Sequence, residues 1–523
     1  MNNIPSFLFY DIETTGLNSA FDQILIFAAI RTDRSLNEIE RYSLTINMRP
    51  DIVPSPGAFI THRLLPEDLV EGVCEYEGAL IIHSIVNRPG TVSIGYNNLG
   101  FDDEFLRFTF YRNMLEPYSH QYTNGCYRID LLPIATLYRV VKPEIIKWPT
   151  TDVGKSSLKL ELISKENKFI TSGRAHNAMA DVEATIELAK CLSRENKIWT
   201  YALGLFDKRS EKTRIDKLLV QTFQENYPTA IMISHKLGAE SIYIAPVIGI
   251  GRSYHYTNQS LWIRLDKDII KSPALLKSEG TETPLNTDAQ SAPYTSTPSP
   301  LVIRKKDGEI GIILPVFPRF WGLLSEEQRV SAENNISIIN KSKENHAIFN
   351  KIAEYHRQFK YPLVPEADLD SLLYQSPFFT NAEKRDMERF HKISLLSKKI
   401  ELIEDMKPSR IKSIATRIFF RNYFNKDNQV DDIFPHRFIK AIHEEEVPMH
   451  PLIYREYTSY MERVRCSSND PDFNIKKIVG FKGDERLVPS KAIKDLKEIR
   501  CDNTLDNEQK KILDWLELYI GSI

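Results

Sequence analysis

The run FLFYDIETTGL, residues 7–17, decides the fold. Phe7 to Tyr10 are apolar and β-prone, which predicts a buried strand continuing through Glu13. Side chains alternate along a strand, so Asp11 and Glu13 project to one face while Ile12 turns into the core. Adjacent, partly desolvated carboxylates repel unless a cation neutralises them. Hard oxygen ligands suit Mg²⁺ or Mn²⁺ far better than Zn²⁺.

Two further segments supply matching chemistry. TVSIGYN, residues 91–97, reads as a second strand that ends in a turn containing Gly100 and leads into the helical stretch from Asp102. An acid at a helix start is favoured by the dipole in any protein, so Asp102 or Asp103 alone has an ordinary reading. In AHNAMADVEAT, residues 175–185, His176 and Asp181 are too far round a regular helix to converge. Asn177 is the expected N-cap, with His176 on the approach and Asp181 in the first turns of a helix running to about Asn196. Asp11, Glu13, Asp102 and Asp181 as metal ligands, with His176 as general base, form a two-metal nuclease constellation.

DIETTGL, NNLGFD and HNAMAD resemble, in order and spacing, the three exonuclease motifs of the DnaQ-like (DEDDh) superfamily of 3′ to 5′ exonucleases. Within it the chain is most similar to the bacterial exodeoxyribonuclease I branch. IFAAIRTD (26–33), PSPGAFIT (54–61), GYNN, FDDE and FYRN carry that likeness, and it extends more weakly through DSLLYQSPFFTNAEKRDM and RIKSIATRIFFRNYF. The resemblance implies that Asp11 bridges two ions. It selects Asp102 over Asp103 because the ligand follows phenylalanine and lies four residues beyond Asn98. It also implies that Glu13, Thr14, Thr15, Gly16, Leu17 and Asn98 contact the terminal nucleotide and that Arg107 faces phosphate. Gly100 departs from the pattern, standing where the branch usually has arginine, and residues from about 205 to 360 match poorly.

Composition agrees with a large globular protein: 42% hydrophobic and 26% charged is ordinary usage, and 523 residues predict two to four domains. Five scattered cysteines without a CxxC pair argue against a disulfide framework or zinc site. No apolar stretch long enough for a membrane span stands out and the N-terminus lacks a signal-like pattern, so no membrane association and a cytoplasmic location are expected.

The formal charge of −2 hides local asymmetry. Lys407, Arg410, Lys412, Arg417, Arg421 and Lys426 occur without an intervening acid, among Phe419, Phe420, Tyr423 and Phe424. Arg417 and Arg421 are candidate DNA-binding residues on that basis. The alternative is an amphipathic helix whose apolar stripe is buried and whose bases are simply solvated.

The sequence is divided into an α/β, RNase H-like exonuclease domain (1–200), a small β-rich, SH3-like domain (201–355) and a C-terminal helical domain (356–523). The runs AIMISH, SIYIAPVIGI and SLWIRLD predict strands, as does PLVIRKKDGEIGIILPVFP with a turn at Asp307-Gly308. Between them, residues 278–300 are rich in Ser, Thr and Pro and read as a flexible insertion. Strands on either side of it are expected to share one sheet. Expected function is removal of 5′-mononucleotides from the 3′ end of single-stranded DNA with two Mg²⁺ ions, Mn²⁺ substituting. Single-stranded DNA is the expected partner, with single-stranded DNA-binding protein a second implied by the resemblance, and a monomer is expected. The same carboxylates would serve an exoribonuclease, and a non-catalytic nucleic-acid binder on this fold is the third alternative.

Overall fold

The computed structural model describes residues 5–151, 154–169, 177–220, 227–267, 302–422 and 451–523. Strands β1 (Ser6–Thr14), β2 (Ile24–Thr32), β3 (Glu38–Thr45), β4 (Thr91–Gly95) and β5 (Tyr127–Asp130) form a mixed sheet in the order β3-β2-β1-β4-β5. β1 pairs antiparallel with β2 and parallel with β4. Phe7 and Phe9 pack on one face of the sheet with Val182, Ile186 and Ala189 of the helix Ala178–Ser193. Leu8, Tyr10 and Ile12 pack on the other with Phe105 and Phe110 of the helix Asp102–Arg112. The alternation read from residues 7–13 is thus the alternation that splits two cores.

A second sheet holds β6 (Thr229–Ile233), β7 (Ile244–Arg252), β8 (Gln259–Arg264), β9 (Val302–Lys306) and β10 (Ile312–Pro315), all antiparallel, in the order β10-β6-β7-β8-β9. The strands flanking the Ser/Thr/Pro-rich stretch therefore do share a sheet, since β8 pairs with β9. Residues 278–300 themselves lie outside the described residues. Asp307-Gly308 is a turn, with Gly308 at φ 69°, but β9 and β10 do not pair across it, since β10 joins β6 instead. The helices Glu326–Asn340 and Lys343–Gln358 pack Ala332, Ile339, Phe349 and Ile352 onto Ile248, Ile250 and Leu261 of this sheet. Helical periodicity after Ser325 thus first covers the second sheet, and beyond Gln358 the described residues form helices and no further strand.

Cores cross the boundaries drawn from composition. Trp199, Ala202 and Phe206, past the end of the helix Ala178–Ser193, share a core with Ile134, Leu188, Ile231 and Leu314. Phe59, Phe108 and Tyr111 of the first region are buried with Phe390, Ile414, Ile418 and Leu516 of the last.

Candidate active site

The register between β1 and β4 ends at Phe9↔Ile94, whereas β1 continues to Thr14. Beyond Phe9 the strand has no parallel neighbour, and the carboxyl end of the parallel strands is the usual location of sites in such sheets. Asp11 and Glu13 stand there, each partly exposed and separated by buried Ile12.

The turn after β4 delivers the third carboxylate. Asn97 takes φ 66°, and the buried Asp130 carboxylate accepts the backbone N–H groups of Asn97 (2.8 Å), Leu99 (3.3 Å) and Leu132 (3.0 Å). One side chain therefore fixes this turn and caps the helix Leu131–Val141. Asp102 opens the helix Asp102–Arg112 and accepts the backbone N–H of Ile12, tying the helix start to the unpaired end of β1. Asp103 turns away and is fully buried among Arg107 (2.6 Å), His120 (2.9 Å) and Arg128. The Arg107 and Arg128 guanidinium groups, helped by the hydrogen bond with His120, hold its carboxyl far below the ordinary range despite burial. Asp103 is a structural acid, as its place in the helix start implied. On the remaining side, Asn177 caps the helix Ala178–Ser193 by accepting the N–H groups of Met179 and Ala180, which sets Asp181 in its first turn.

These acids feel one another. Burial, then Asp102, Glu13 and Asp181, raise Asp11 well above the carboxylate range. Burial, Asp181 and Asp102 push Glu13 up to about 8, and Asp102 is pushed up to about 7, chiefly by burial. No cationic side chain figures among the main influences on Asp11 or Glu13. Among the described residues no three ligating side chains are drawn together around one point, so the four are linked by charge rather than by a closed cage. Mutual repulsion with only hard oxygen donors fits divalent cations of the Mg²⁺ or Mn²⁺ type.

The turn after β1 is built from within. Thr14 Oγ1 donates to the Gly16 carbonyl (2.7 Å), Thr15 N–H to the Gln23 carbonyl (2.9 Å), and Asp22 accepts Thr15 Oγ1 (3.2 Å) and the Asn18 N–H (2.8 Å). A Cβ on Gly16 would land inside the Asp22 carboxylate, so this position requires glycine. Leu17 projects from the tip, 66% exposed. Asn98 is fully buried, its amide nitrogen 3.5 Å from Tyr10 Oη.

Three expected DNA contacts are placed elsewhere. Arg107 is buried, spending its guanidinium on Asp103, Glu104 (2.6 Å) and Tyr374 Oη (2.9 Å) rather than on a phosphate-facing surface. Arg417 binds Asp368 (2.6 Å) and Asp370 (3.1 Å). Arg421, 2% exposed, binds Asp370 (2.5 Å) and Tyr460 Oη (2.8 Å). At Arg417 and Arg421 the free basic face expected there is neutralised by acids remote in sequence. Tyr423, Phe424, Lys426 and His176 lie outside the described residues. Asp130 and Asp22 were missed by sequence reasoning. Asp130 alone had a signal, an acid between a strand and the helical LLPIATLYRV.

The RNase_T exonuclease family model matches residues 8–189, the span that carries Asp11, Glu13, Asp102 and Asp181. Exodeoxyribonuclease I of Haemophilus influenzae is 32% identical over 397 residues, covering 73% of this chain and 79% of that protein. The chain belongs to the exodeoxyribonuclease I family. The Escherichia coli K12 relative is 31% identical over 397 residues, 73% of this chain and 78% of its own. Among solved structures, E. coli exonuclease I in complex with a dA16 oligonucleotide superposes with a TM-score of 0.73 at 23% identity over 99% of both chains. Exonuclease I from Methylocaldum szegediense gives a TM-score of 0.73 at 22% identity, also over 99% of each. The membership expected from DIETTGL, NNLGFD and HNAMAD is borne out, and the fold likeness extends through the 205–360 region that sequence matched poorly. No helix of the described residues is long and apolar enough to cross a membrane.

Proposed function

We propose that this exodeoxyribonuclease I family member removes nucleotides from the 3′ end of single-stranded DNA, releasing 5′-mononucleotides by metal-assisted hydrolysis. One observation carries the reading: at the end of β1, Asp11 and Glu13 are raised by burial and by the charges of Asp102 and Asp181, with no cationic side chain among the main influences on either. E. coli exonuclease I has been solved with single-stranded DNA in a zinc-bound form and in a metal-free form. Here Asp11, Glu13, Asp102 and Asp181 would hold two divalent ions, Mg²⁺ in our reading with Mn²⁺ as substitute. Such ions, when bound, supply charge neutralisation at the phosphate and make a water acidic.

The protein's own groups do the rest. His176 takes the proton of the attacking water, a role suited to an imidazole titrating near neutrality. Thr14, Thr15 and Gly16 offer backbone groups to the terminal nucleotide, and exposed Leu17 wedges against its base. Asn98, expected from the sequence to contact the terminal nucleotide, is fully buried at the turn before Asp102, and that contact is not part of this reading. We further read the second sheet as SH3-like and the chain as three domains, 1–200, 201–355 and 356–523, acting as a monomer. Single-stranded DNA-binding protein is proposed as a second partner.

The test is a 5′-labelled single-stranded DNA oligonucleotide incubated with Mg²⁺ and with chelator. A ladder shortening from the 3′ end only with Mg²⁺ is expected. Activity persisting in chelator, or faster loss of a matched RNA, would refute it.

A further inference from the structure

The segment Ile478–Arg486 is a small hairpin far along the chain from the catalytic acids. The Arg486 N–H donates to the Ile478 carbonyl (2.8 Å), the Gly480 N–H to the Asp484 carbonyl (2.7 Å) and the Gly483 N–H to the Gly480 carbonyl (2.9 Å). Gly483 turns the tip at φ 79°. Three contacts dock it on the exonuclease region. At its base Arg486 lies 3.2 Å from buried Asp51. On its flank Phe481 stacks on Phe108, centroids 5.5 Å apart, and packs on Tyr374, whose hydroxyl meets Glu104 and Arg107 of the helix that Asp102 opens. At its tip the Asp484 carboxylate accepts a hydrogen bond from the Asn18 side-chain amide.

Asn18 is the residue next to Leu17, and it ends the turn that Asp22 supports from below. The turn is thus held on two sides, by a buried acid of its own region and by an acid delivered from the C-terminal helical region. Exposed Lys482 sits at the same tip, within electrostatic reach of Glu104 and of Lys306 in β9. The hairpin tip therefore stands where all three parts of the chain meet.

We propose that Asp484 is a positioning residue for the grip on the 3′-terminal nucleotide: through Asn18 it fixes the Thr14–Leu17 turn against the catalytic acids. This rests on the reading of that turn as the nucleotide grip. Asp484 touches neither substrate nor metal. Its effect is on binding of the terminal nucleotide, and catalysis once the nucleotide is seated is unaltered.

The full-length enzyme with Asn18→Asp keeps the Asn18 Oδ1 bond to the Ala20 N–H (3.1 Å) but sets two acids against each other. Its KM on a short single-stranded DNA oligonucleotide should rise about tenfold, the order expected for losing one charged hydrogen bond, with kcat and thermal midpoint nearly unchanged. Asn18→Asp combined with Asp484→Asn restores the bond with donor and acceptor exchanged, and KM should return towards the parent value. Repulsion of DNA by the new carboxylate would leave KM high in the double variant, and that outcome overturns the proposal. A drop in thermal midpoint that accounts for the loss overturns it as well, by making the contact merely structural. Leu17→Ala separates the two claims. A raised KM there with no effect at Asn18 or Asp484 sinks the positioning role alone, whereas no effect from any of them sinks the grip reading too.

Discussion

Arg421 and Asp51 form an ion pair of 3.1 Å between side chains that are 2% and 1% exposed, joining the C-terminal helices to the exonuclease region. The pair belongs to a chain of buried charges. Arg486 also reaches Asp51, Arg49 links Asp51 to Glu75 at 3.0 and 2.7 Å, and Arg112 completes it on Glu75 at 2.8 Å. Despite burial, the surrounding guanidinium groups hold Asp51 well below the carboxylate range and Glu75 at about 2.

Replacing Arg421 by alanine leaves Asp51 and Asp370 buried with one cation fewer. Unfolding free energy should fall by about 3–5 kcal/mol, the usual result of breaking a buried pair from one side. Denaturant titration measures it. If stability is unchanged and only binding to long single strands weakens, the guanidinium is a DNA contact after all.

Asp11→Asn should abolish hydrolysis while leaving the fold intact, because it removes a charge whose neighbours all oppose it. In chelator at pH 8 the thermal midpoint of this variant should exceed that of the parent. Retained exonuclease activity would remove Asp11 from the metal site.

The sign of the pH dependence follows from the raised carboxyls. Glu13 at about 8 and Asp102 at about 7 bind protons more tightly in the folded protein than at their unfolded values near 4. Their contribution to stability is complete below the unfolded values and is lost as pH rises through 7 to 8. Metal-free protein should therefore melt at progressively lower temperature across this window, and Mg²⁺ should restore the midpoint most at the alkaline end. Thermal scans in chelator and in Mg²⁺ at a series of pH values check this. A flat metal-free profile would mean the four acids do not interact as placed.

His176→Ala should cut the rate by about 10² to 10⁴ while leaving divalent binding near normal, the signature of a general base rather than a ligand. Single-turnover rates together with calorimetric Mg²⁺ titration separate the cases. Lost metal affinity would move His176 into the coordination sphere.

What was legible depended on distance along the chain. Asp11 and Glu13 could be read because their spacing alone sets their common face, and Asp181 because Asn177 marks the helix start beside it. The sharing of a sheet by β8 and β9 followed from composition on both sides of the stretch between them. Arg107, Arg417 and Arg421 were misread because a basic residue looks free until its acid is found. For Arg417 and Arg421 the acids are Asp368, Asp370 and Asp51, which no local pattern connects to RIKSIATRIFFRNYF. Asp484 carries no local signal at all, since its meaning lies in Asn18 at the opposite end of the chain.

The interior shared by Phe59, Phe108, Tyr111, Phe390, Ile414 and Leu516 bears on engineering. Cutting after the last catalytic acid would not release a minimal nuclease, because it would strip the cover from several large aromatic rings and leave buried Asp51 without Arg421 and Arg486. A smaller enzyme from this scaffold would need a redesigned surface along that whole seam. Loops at the outer rim are the places where tags, fusions or insertions can be added without disturbing it.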